Sequence, residues 1–288
     1  MNVLPVARRA AIIRSLTRGN SIRATARRIG VAKATVLKLL VEVGDFCSVY
    51  QDLVLRDLAC ARVEVDEIWS FVGANQIHAA SDGKGDLWTY VATCSDSKLI
   101  LCWLVGFRDH QNTFDFMKDV ALRLANRAQP ATDGLSWYVE AIEGAGRRND
   151  VDFAELTRTY GNRLDETEPQ RRFSPSAFSG ATKTVVMNEP DTVLASAYYV
   201  ERQDRNMGVP VRGITRLANG FSKRALNHAQ AVGLYFMFYN FCLPHQMLTQ
   251  AAGGRKTTPA MAAGVADRVW TVEEFVERHD RGRRLQGS

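Results

Sequence analysis

Three acidic side chains interrupt an otherwise apolar segment early in the chain, VEVDEIWSF at residues 63–71. β-Branched and aromatic residues surround Glu64, Asp66 and Glu67, so the segment has the composition of a β-strand. A carboxylate inside a sheet is costly unless it is paired, hydrogen-bonded or bound to a metal ion. Because side chains alternate along a strand, Glu64 and Asp66 share one face and Glu67 lies on the other. We interpret Asp66 as a metal ligand, Glu64 as its support, and Glu67 as a solvated acid or the partner of a basic group. Ordinary surface acids are the alternative.

The neighbouring sequence predicts the elements that would position these acids. Residues 86–107 are apolar on both sides of a turn at 95–98, which predicts a hairpin of two strands. Residues 112–128 show helical periodicity, with Asn112 or Thr113 as the predicted cap. These elements come in the order expected of a sheet that begins with antiparallel strands and continues through a helix.

Two more acidic residues, Asp133 and Glu201, follow Asp66 at nearly equal intervals along the chain. Asp133 ends a predicted fourth strand, and helical segments follow Glu201, including a largely apolar one at 224–242. Three strands, a helix, a strand and further helices predict a mixed α/β sheet with flanking helices. In such a sheet Asp66 can lie beside Asp133, and a helix that crosses the sheet can bring Glu201 to the same edge. Three carboxylates there would form an oxygen cage for a hard cation such as Mg²⁺.

Positive charge is concentrated at the N-terminus. Residues 1–45 contain nine Lys or Arg and two acidic residues, a formal charge of +7, whereas the whole chain carries +6. A basic segment of this size suggests a polyanionic partner, most often nucleic acid. A solvated helix face is the alternative explanation.

The pattern of this basic segment favours nucleic acid. Small Ala26, turn residue Gly30 and β-branched Val36 have the spacing of a helix-turn-helix, in which close helix contact and a tight turn are required. The recognition helix is predicted at 32–41, after a cap at Ser21 that begins the preceding helix. A plain helical hairpin with a basic surface is the alternative. The DNA-binding candidates divide into groove and phosphate contacts: Lys33, Thr35 and Lys38 for the major groove, and Arg27 and Arg28 for phosphates.

Cysteine usage and hydropathy exclude several classes of protein. The five cysteines include no CxxC pair, which argues against a zinc ribbon and favours free thiols in a reducing cytoplasm. The longest apolar run, 231–243, is too short to cross a bilayer and is predicted to be a core helix. We expect a cytoplasmic protein with no membrane partner.

Three other features are expected to have structural or minor roles. Trp69 could stack on a nucleic-acid base, but packing in the core is the favoured role. His228, on the predicted late helix, could reach the site, but a structural or surface role is the favoured one. The polar tail at 277–288 is expected to be frayed.

Six segments, in order, resemble the DDE transposases of bacterial insertion sequences, specifically the insertion-sequence-one type. Each motif is weak alone, but together they span most of residues 60–275. The matching segments are VDEIWSFVG (65–73), TDGLSWYVEAIEGA (132–145), YVERQDRNM (199–207), TRLANGFSKR (215–224), NHAQAVGLYFMFYNFC (227–242) and TPAMAAGVADRVWTVEE (258–274).

The resemblance implies an RNase H-like fold and places the family's catalytic, metal-binding acids on Asp66, Asp133 and Glu201. Two Mg²⁺ ions, or Mn²⁺ in their place, would support DNA nicking and strand transfer. The implied partners are double-stranded DNA, both element ends and target, and further copies of the chain in a synaptic complex. The implied location is the bacterial cytoplasm, in association with the nucleoid. The predicted domains are a helix-turn-helix domain (1–45), an RNase H-like catalytic domain (60–248) and a C-terminal tail (249–288).

The sequence departs from the family at a few positions. Gly208 stands where such enzymes often have a Lys or Arg seven residues after the third acid, and Arg205 or Arg212 could substitute as the DNA contact. Pro210 is expected to end the helix that contains Glu201. Leu243 stands where related enzymes commonly have Arg. These departures leave open a catalytically weakened or inactive copy that acts only as a sequence-specific DNA-binding protein. A nuclease that hydrolyses DNA without strand transfer would share the same acids and is a further alternative.

Overall fold

The structure, a computed structural model, describes residues 4–72, 85–132, 137–144, 153–160, 178–187 and 225–286. Three helices open the chain: α1 (Val6–Thr17), α2 (Ile22–Ile29) and α3 (Lys33–Val54). The Ser21 hydroxyl accepts a hydrogen bond from the backbone N–H of Ala24 at 3.2 Å, which confirms the predicted cap of α2. Gly30 ends α2 in the left-handed region at φ 70°, as the predicted turn requires. The predicted recognition helix (32–41) is the first part of a longer continuous helix, α3.

The strands form one mixed sheet in the order β3-β2-β1-β4-β5-β6. Their bounds are β1 (Arg62–Val72), β2 (Gly85–Cys94), β3 (Ile100–Gly106), β4 (Gln129–Thr132), β5 (Phe153–Tyr160) and β6 (Phe178–Met187). β1, β2 and β3 are antiparallel neighbours, β1–β4 and β4–β5 are parallel, and β5–β6 is antiparallel. The mixed α/β sheet is confirmed, and β5 and β6 extend it beyond the four predicted strands.

Six further helices lie within the described residues. They are α4 (His110–Arg123), α5 (Trp137–Gly144), α6 (Ala225–Cys242), α7 (Gln246–Ala251), α8 (Pro259–Ala262) and α9 (Val272–Gln286). The cap predicted for α4 at Asn112 or Thr113 is wrong, because the Asp109 carboxylate accepts from the backbone N–H of Asn112 at 2.8 Å and starts the helix earlier. The apolar run in α6 is a core helix as predicted, with Val232, Phe236 and Met237 fully buried. Among the described residues, no helix combines the length and the apolar character that crossing a membrane requires.

Two glycines allow α3 and α6 to approach closely. A Cβ atom on Gly44 would lie 2.4 Å from the backbone oxygen of Gln230, and one on Gly233 would lie 2.6 Å from the Ser48 hydroxyl. Any side chain at Gly44 would therefore collide with the backbone of the facing helix, which has little freedom to move. The N-terminal helices are thereby attached directly to the helix that packs on the sheet.

A buried polar network extends this contact to the sheet. The Asn240 amide nitrogen on α6 donates to the side-chain oxygen of Gln51 on α3 at 3.1 Å and to the carbonyl of Ile100 on β3 at 3.0 Å. The Asn240 side-chain oxygen accepts from the backbone N–H of Ile100 at 3.0 Å. Each amide is thus satisfied in the interior, where an unpaired polar group would be costly.

The C-terminal helix α9 is packed against the N-terminus and is not frayed as predicted. Phe275 is fully buried, and the Arg9 guanidinium makes two hydrogen bonds of 2.6 Å to the Asp280 carboxylate. The hydrogen bonds from Arg9 hold the pKa of Asp280 below its usual range. Arg14 and Glu273 form a second ion pair between α1 and α9. The helix that begins at Val272 therefore continues through the first part of the predicted tail and is attached to α1 through Asp280. The division into three domains remains a prediction.

We expect Gly44→Ala to lower the free energy of unfolding by about 1–3 kcal/mol, the usual cost of overpacking a close contact. Alanine ordinarily stabilises a helix relative to glycine by up to about 1 kcal/mol, so the sign of the change identifies the helix contact as its cause. Urea denaturation followed by circular dichroism measures the difference.

Gly282→Ala is the matched control, because a Cβ atom there meets Phe46 at an ordinary 3.5 Å. This substitution, also within a helix, is expected to be neutral or stabilising. A Gly44→Ala protein as stable as the Gly282→Ala protein would contradict the close approach of α3 and α6.

Candidate functional site

Asp66 lies on β1, the strand at which the antiparallel and parallel parts of the sheet meet. It is half-buried and stands opposite Val91 on β2. Its Oδ1 atom accepts a hydrogen bond from the backbone N–H of Glu67 at 3.0 Å, which orients the carboxylate. The hard carboxylate oxygens of a side chain that is not fully buried suit a divalent cation such as Mg²⁺.

β1 pairs with β4 over the first residues of β1, before Asp66. Its pairs are Arg62 with Gln129, Val63 with Pro130, and Glu64 with Ala131. The sequence separation of the partners is the same in every pair, and β4 ends at Thr132, directly before Asp133.

The other predicted ligands and the predicted DNA contact Arg205 cannot be compared with this geometry. Asp133, Glu201 and Arg205 lie outside the described residues, as do Gly208 and Pro210. Within the described part of the chain, no group of three His, Cys, Asp or Glu side chains could hold a metal ion. The predicted triad and its metal therefore remain a prediction of which only Asp66 has a described position.

Glu64 shares the face of Asp66 and is buried beside a turn. Its Oε1 atom accepts a hydrogen bond from the Ser95 hydroxyl at 2.8 Å, which links β1 to the turn after β2. Burial raises the pKa of Tyr239 on α6, and the charges of Tyr235 and Glu64 add to the effect. The carboxylate thus lies beneath α6, on the same side of the sheet as Asp66.

Glu67 has an enclosed side chain. Its side chain is 1% exposed, and its carboxylate accepts from Arg108 Nε at 2.5 Å and from the Tyr138 hydroxyl at 2.7 Å. The predicted pairing with a basic group is confirmed, and the alternative of a solvated acid is wrong. Because Tyr138 lies on α5, these contacts fasten the strand that holds Asp66 to the helix that follows β4.

His228 on α6 packs against the same strand. It is buried, and its Nε2 atom is 3.3 Å from the hydroxyl of Ser70, which lies further along β1 than Asp66. Burial lowers the pKa of this histidine. A buried, neutral imidazole between helix and strand fits the structural role predicted for it.

The predicted DNA-binding residues lie around the turn between α2 and α3. Ala26 and Val36 are buried, as their predicted packing role requires. The guanidinium of Arg8, which the sequence interpretation overlooked, donates to the carbonyls of Ile29 at 3.2 Å and Gly30 at 2.9 Å and so caps the end of α2. Of the candidates themselves, Arg27, Arg28, Lys33 and Lys38 are exposed and Thr35 is half-buried.

Trp69 is not a core residue as predicted. It is 43% exposed, although the neighbouring β1 residues Val63 and Val65 are buried. Its exposure was not apparent from the apolar composition of the segment.

No protein-family model matches the sequence, and no curated protein matches it. Among solved structures, the chain is similar to a piggyBac transposase in a synaptic complex with hairpin DNA, with a TM-score of 0.35 and 10% identity over 94% of this chain and 60% of that one. It is also similar to the Mos1 strand transfer complex, with a TM-score of 0.24 and 12% identity over 76% of this chain and 78% of that one. The chain thus spans less than two thirds of the piggyBac chain. At such TM-scores these similarities assign neither a fold nor a function.

We expect Tyr138→Phe to lower the free energy of unfolding by about 1.5–3 kcal/mol, because a hydrogen bond to a buried, charged Glu67 is lost. Thermal and urea unfolding of the two proteins measure the change.

Tyr50→Phe is the control, because the half-buried Tyr50 packs through its ring against Phe241 and Trp270. We expect that substitution to change stability by less than about 0.5 kcal/mol, as is usual away from special contacts. Equal effects of the two substitutions would contradict the role given to the Glu67–Tyr138 hydrogen bond.

Proposed function

We propose that the chain is a DDE transposase that binds the ends of an insertion sequence and catalyses metal-dependent DNA nicking and strand transfer. The observation that carries this proposal is the register of β1 and β4. The sequence separation of the partners in every described pair equals the interval between Asp66 and Asp133.

Continuation of this register would place the two carboxylates side by side. Neighbouring strands are about 4.8 Å apart, and residues paired across them share a face. Two carboxylates at that distance repel each other unless a cation or a proton lies between them. The predicted oxygen cage is the arrangement that resolves this repulsion, with Glu201 as the proposed third ligand.

The strand order supports the proposal that the sheet is RNase H-like, as the family resemblance implies. Three antiparallel strands are followed by β4 and β5 parallel to β1. This arrangement directs the carboxyl ends of β1 and β4 toward the same edge, which is where α/β sheets commonly bind ligands.

In the proposed reaction, Asp66, Asp133 and Glu201 would hold the divalent cations, Mg²⁺ or Mn²⁺. When bound, two such ions supply Lewis-acid stabilisation of both the attacking and the leaving oxygen of an in-line displacement at phosphorus. The Glu67 N–H orients the Asp66 carboxylate, and the contacts of Glu67 with Arg108 and Tyr138 hold β1 in place. No protein nucleophile is required, since water and then a DNA 3′-hydroxyl attack the phosphates.

The N-terminal helices are the proposed DNA-binding unit, a helix-turn-helix. Lys33, Thr35 and Lys38 would contact base edges in the major groove, while Arg27 and Arg28 would contact phosphates, and Arg205 would contact DNA near the metals. The exposure of the four basic side chains and the left-handed turn at Gly30 support this assignment. Joining two element ends to a target requires more than one copy, so we propose a homo-oligomer acting on double-stranded DNA in the bacterial nucleoid.

A second candidate function is sequence-specific DNA binding without catalysis. Leu243, at a position where related enzymes commonly have Arg, packs against the apolar cluster between α6 and the sheet. A leucine at this position does not make the contact with DNA that an arginine would make. This observation, with Gly208 and Pro210 in the sequence, favours a degenerate copy.

We expect Asp66→Asn to reduce Mg²⁺-dependent cleavage of a duplex that carries the end of the encoding element by about 10³-fold, because metal stabilisation contributes several kcal/mol. Binding of the duplex is expected to persist. Gel assays of cleavage and of binding measure both quantities.

Asp96→Asn is the control, since Asp96 is an exposed turn residue paired with Arg62 at 2.8 Å. The Asp96→Asn protein should cleave the duplex as the unsubstituted protein does. Full cleavage by the Asp66→Asn protein would refute the carboxylate site, and binding without cleavage by the unsubstituted protein would establish the second candidate.

We expect Arg28→Ala to weaken binding of duplex DNA and to reduce the slope of log affinity against log salt by about 1, as loss of one phosphate contact does. Fluorescence anisotropy at several salt concentrations provides the slope. Lys118→Ala, which removes an exposed charge from α4, is the control and should leave the slope unchanged. An unchanged slope in Arg28→Ala would exclude that phosphate contact.

A further inference from the structure

An ordered loop with two adjacent cations follows α7. Residues 253–256, Gly-Gly-Arg-Lys, are all exposed, and we refer to them as the basic loop. The backbone N–H of Gly254 donates to the carbonyl of Thr249 at 2.8 Å, and the Thr257 hydroxyl donates to the carbonyl of Arg255 at 2.8 Å. These hydrogen bonds on both sides of the loop fix the backbone that carries the two cationic side chains.

The two cations of the basic loop, Arg255 and Lys256, form no ion pair within the described part of the chain. By contrast, Arg56, Arg123 and Arg268 are each paired with a carboxylate. The residues after 45 sum to a formal charge of −1, because the whole chain carries +6 and residues 1–45 carry +7. Two like charges side by side repel each other, and a polyanion relieves this repulsion. The basic loop is therefore a local positive site on an otherwise slightly acidic part of the chain.

The backbone of the basic loop has room for a ligand. Gly253 and Gly254 both lie in the left-handed region, at φ 65° and 92°. Among the described residues, no atom would lie within 4 Å of a Cβ atom on either glycine. Glycine without a packed neighbour allows another group to approach the backbone closely, as a phosphate does.

The basic loop is attached to α6, the helix that packs on α3. The backbone N–H of His245, shortly after α6, donates to the carbonyl of Thr257 at 2.9 Å. Phe241, near the end of α6, packs against Tyr50 on α3, with 6.0 Å between the ring centroids. From Lys33 to Tyr50, α3 rises by about 25 Å, at about 1.5 Å per residue. The loop is therefore connected to α3 at a point well separated from the residues predicted to contact the major groove.

We propose that the basic loop binds the phosphate backbone of duplex DNA, as a second contact site in addition to the N-terminal helices. A duplex carries a negative charge about every 1.7 Å along its axis, so one of roughly eight base pairs is as long as the separation along α3. A short acidic peptide does not present charge so regularly over that distance. Lys and Arg contacts of this kind position DNA without reading its sequence. The proposal rests on the proposed function for the identity of the polyanion as DNA.

The test measures the salt dependence of DNA binding without cleavage. Fluorescence anisotropy with a labelled random-sequence duplex of about 20 base pairs, roughly 70 Å long, in the presence of a metal chelator, compares the unsubstituted protein with Arg255→Ala/Lys256→Ala. We expect the double variant to bind more weakly at low salt and to reduce the slope of log affinity against log salt by about 2, because two phosphate contacts are lost. Arg255→Lys, which retains the charge, should keep the slope.

Lys118→Ala/Arg268→Ala is the matched control, because it removes the same two charges from exposed side chains elsewhere. Arg268 is paired with Glu274 at 2.5 Å, so it is not expected to contact a phosphate. The slope of this control should equal that of the unsubstituted protein. Circular dichroism of all the variants verifies that each is folded, as expected for substitutions of exposed side chains.

The outcomes separate this inference from the proposed function. An unchanged slope in Arg255→Ala/Lys256→Ala, or an equal reduction in the control, would overturn the loop contact whatever the cleavage assay shows. Weaker binding of a labelled polyglutamate by the loop variant, at unchanged DNA affinity, would likewise overturn it and assign the basic loop to an acidic protein partner. A reduced slope in a protein that never cleaves DNA would uphold the loop contact while refuting the transposase.

Discussion

The close approach of α3 and α6 is the contact on which the arrangement of the molecule depends. It requires glycine at 44, because a Cβ atom there would lie within 2.4 Å of the backbone of α6. Because α3 begins at the turn with α2 and ends beside the sheet, this contact ties the basic N-terminal surface to the carboxylates of β1. The buried amides of Gln51 and Asn240 continue the connection to β3. An enzyme that must hold DNA in one place and cut it in another would depend on such a rigid link.

The three acids of β1 show how carboxylates within one strand are stabilised by their contacts. Glu64 is buried and accepts a hydrogen bond from a hydroxyl, while Glu67 is enclosed between a guanidinium and a phenol. Asp66, between them, is half-buried and oriented by the backbone of its neighbour. Two carboxylates therefore stabilise the surroundings of the third. In the proposed enzyme this division of roles would leave Asp66 to the metal.

Local features of the chain were predictable because they depend on near neighbours in sequence. Ser21 and Gly30 mark the ends of α2 through a hydroxyl that caps and a residue that tolerates positive φ, and both effects act within a turn. The hairpin of β2 and β3 follows from apolar residues on both sides of a polar turn. The partner of Glu67 was predictable as a class, since a charge in a sheet needs compensation, but the identity of Arg108 was not.

By itself the sequence determined the periodic elements, the basic N-terminus and the interval between Asp66 and Asp133, because composition and spacing are properties of the chain alone. Only the tertiary structure decided that β1 and β4 pair with the same offset, that Trp69 is exposed, and that α9 packs on α1. Those outcomes depend on which surfaces meet across long separations, as in the ion pair of Arg9 with Asp280. Whether an apolar or charged side chain is buried depends on such distant partners, and a local sequence pattern does not identify these partners.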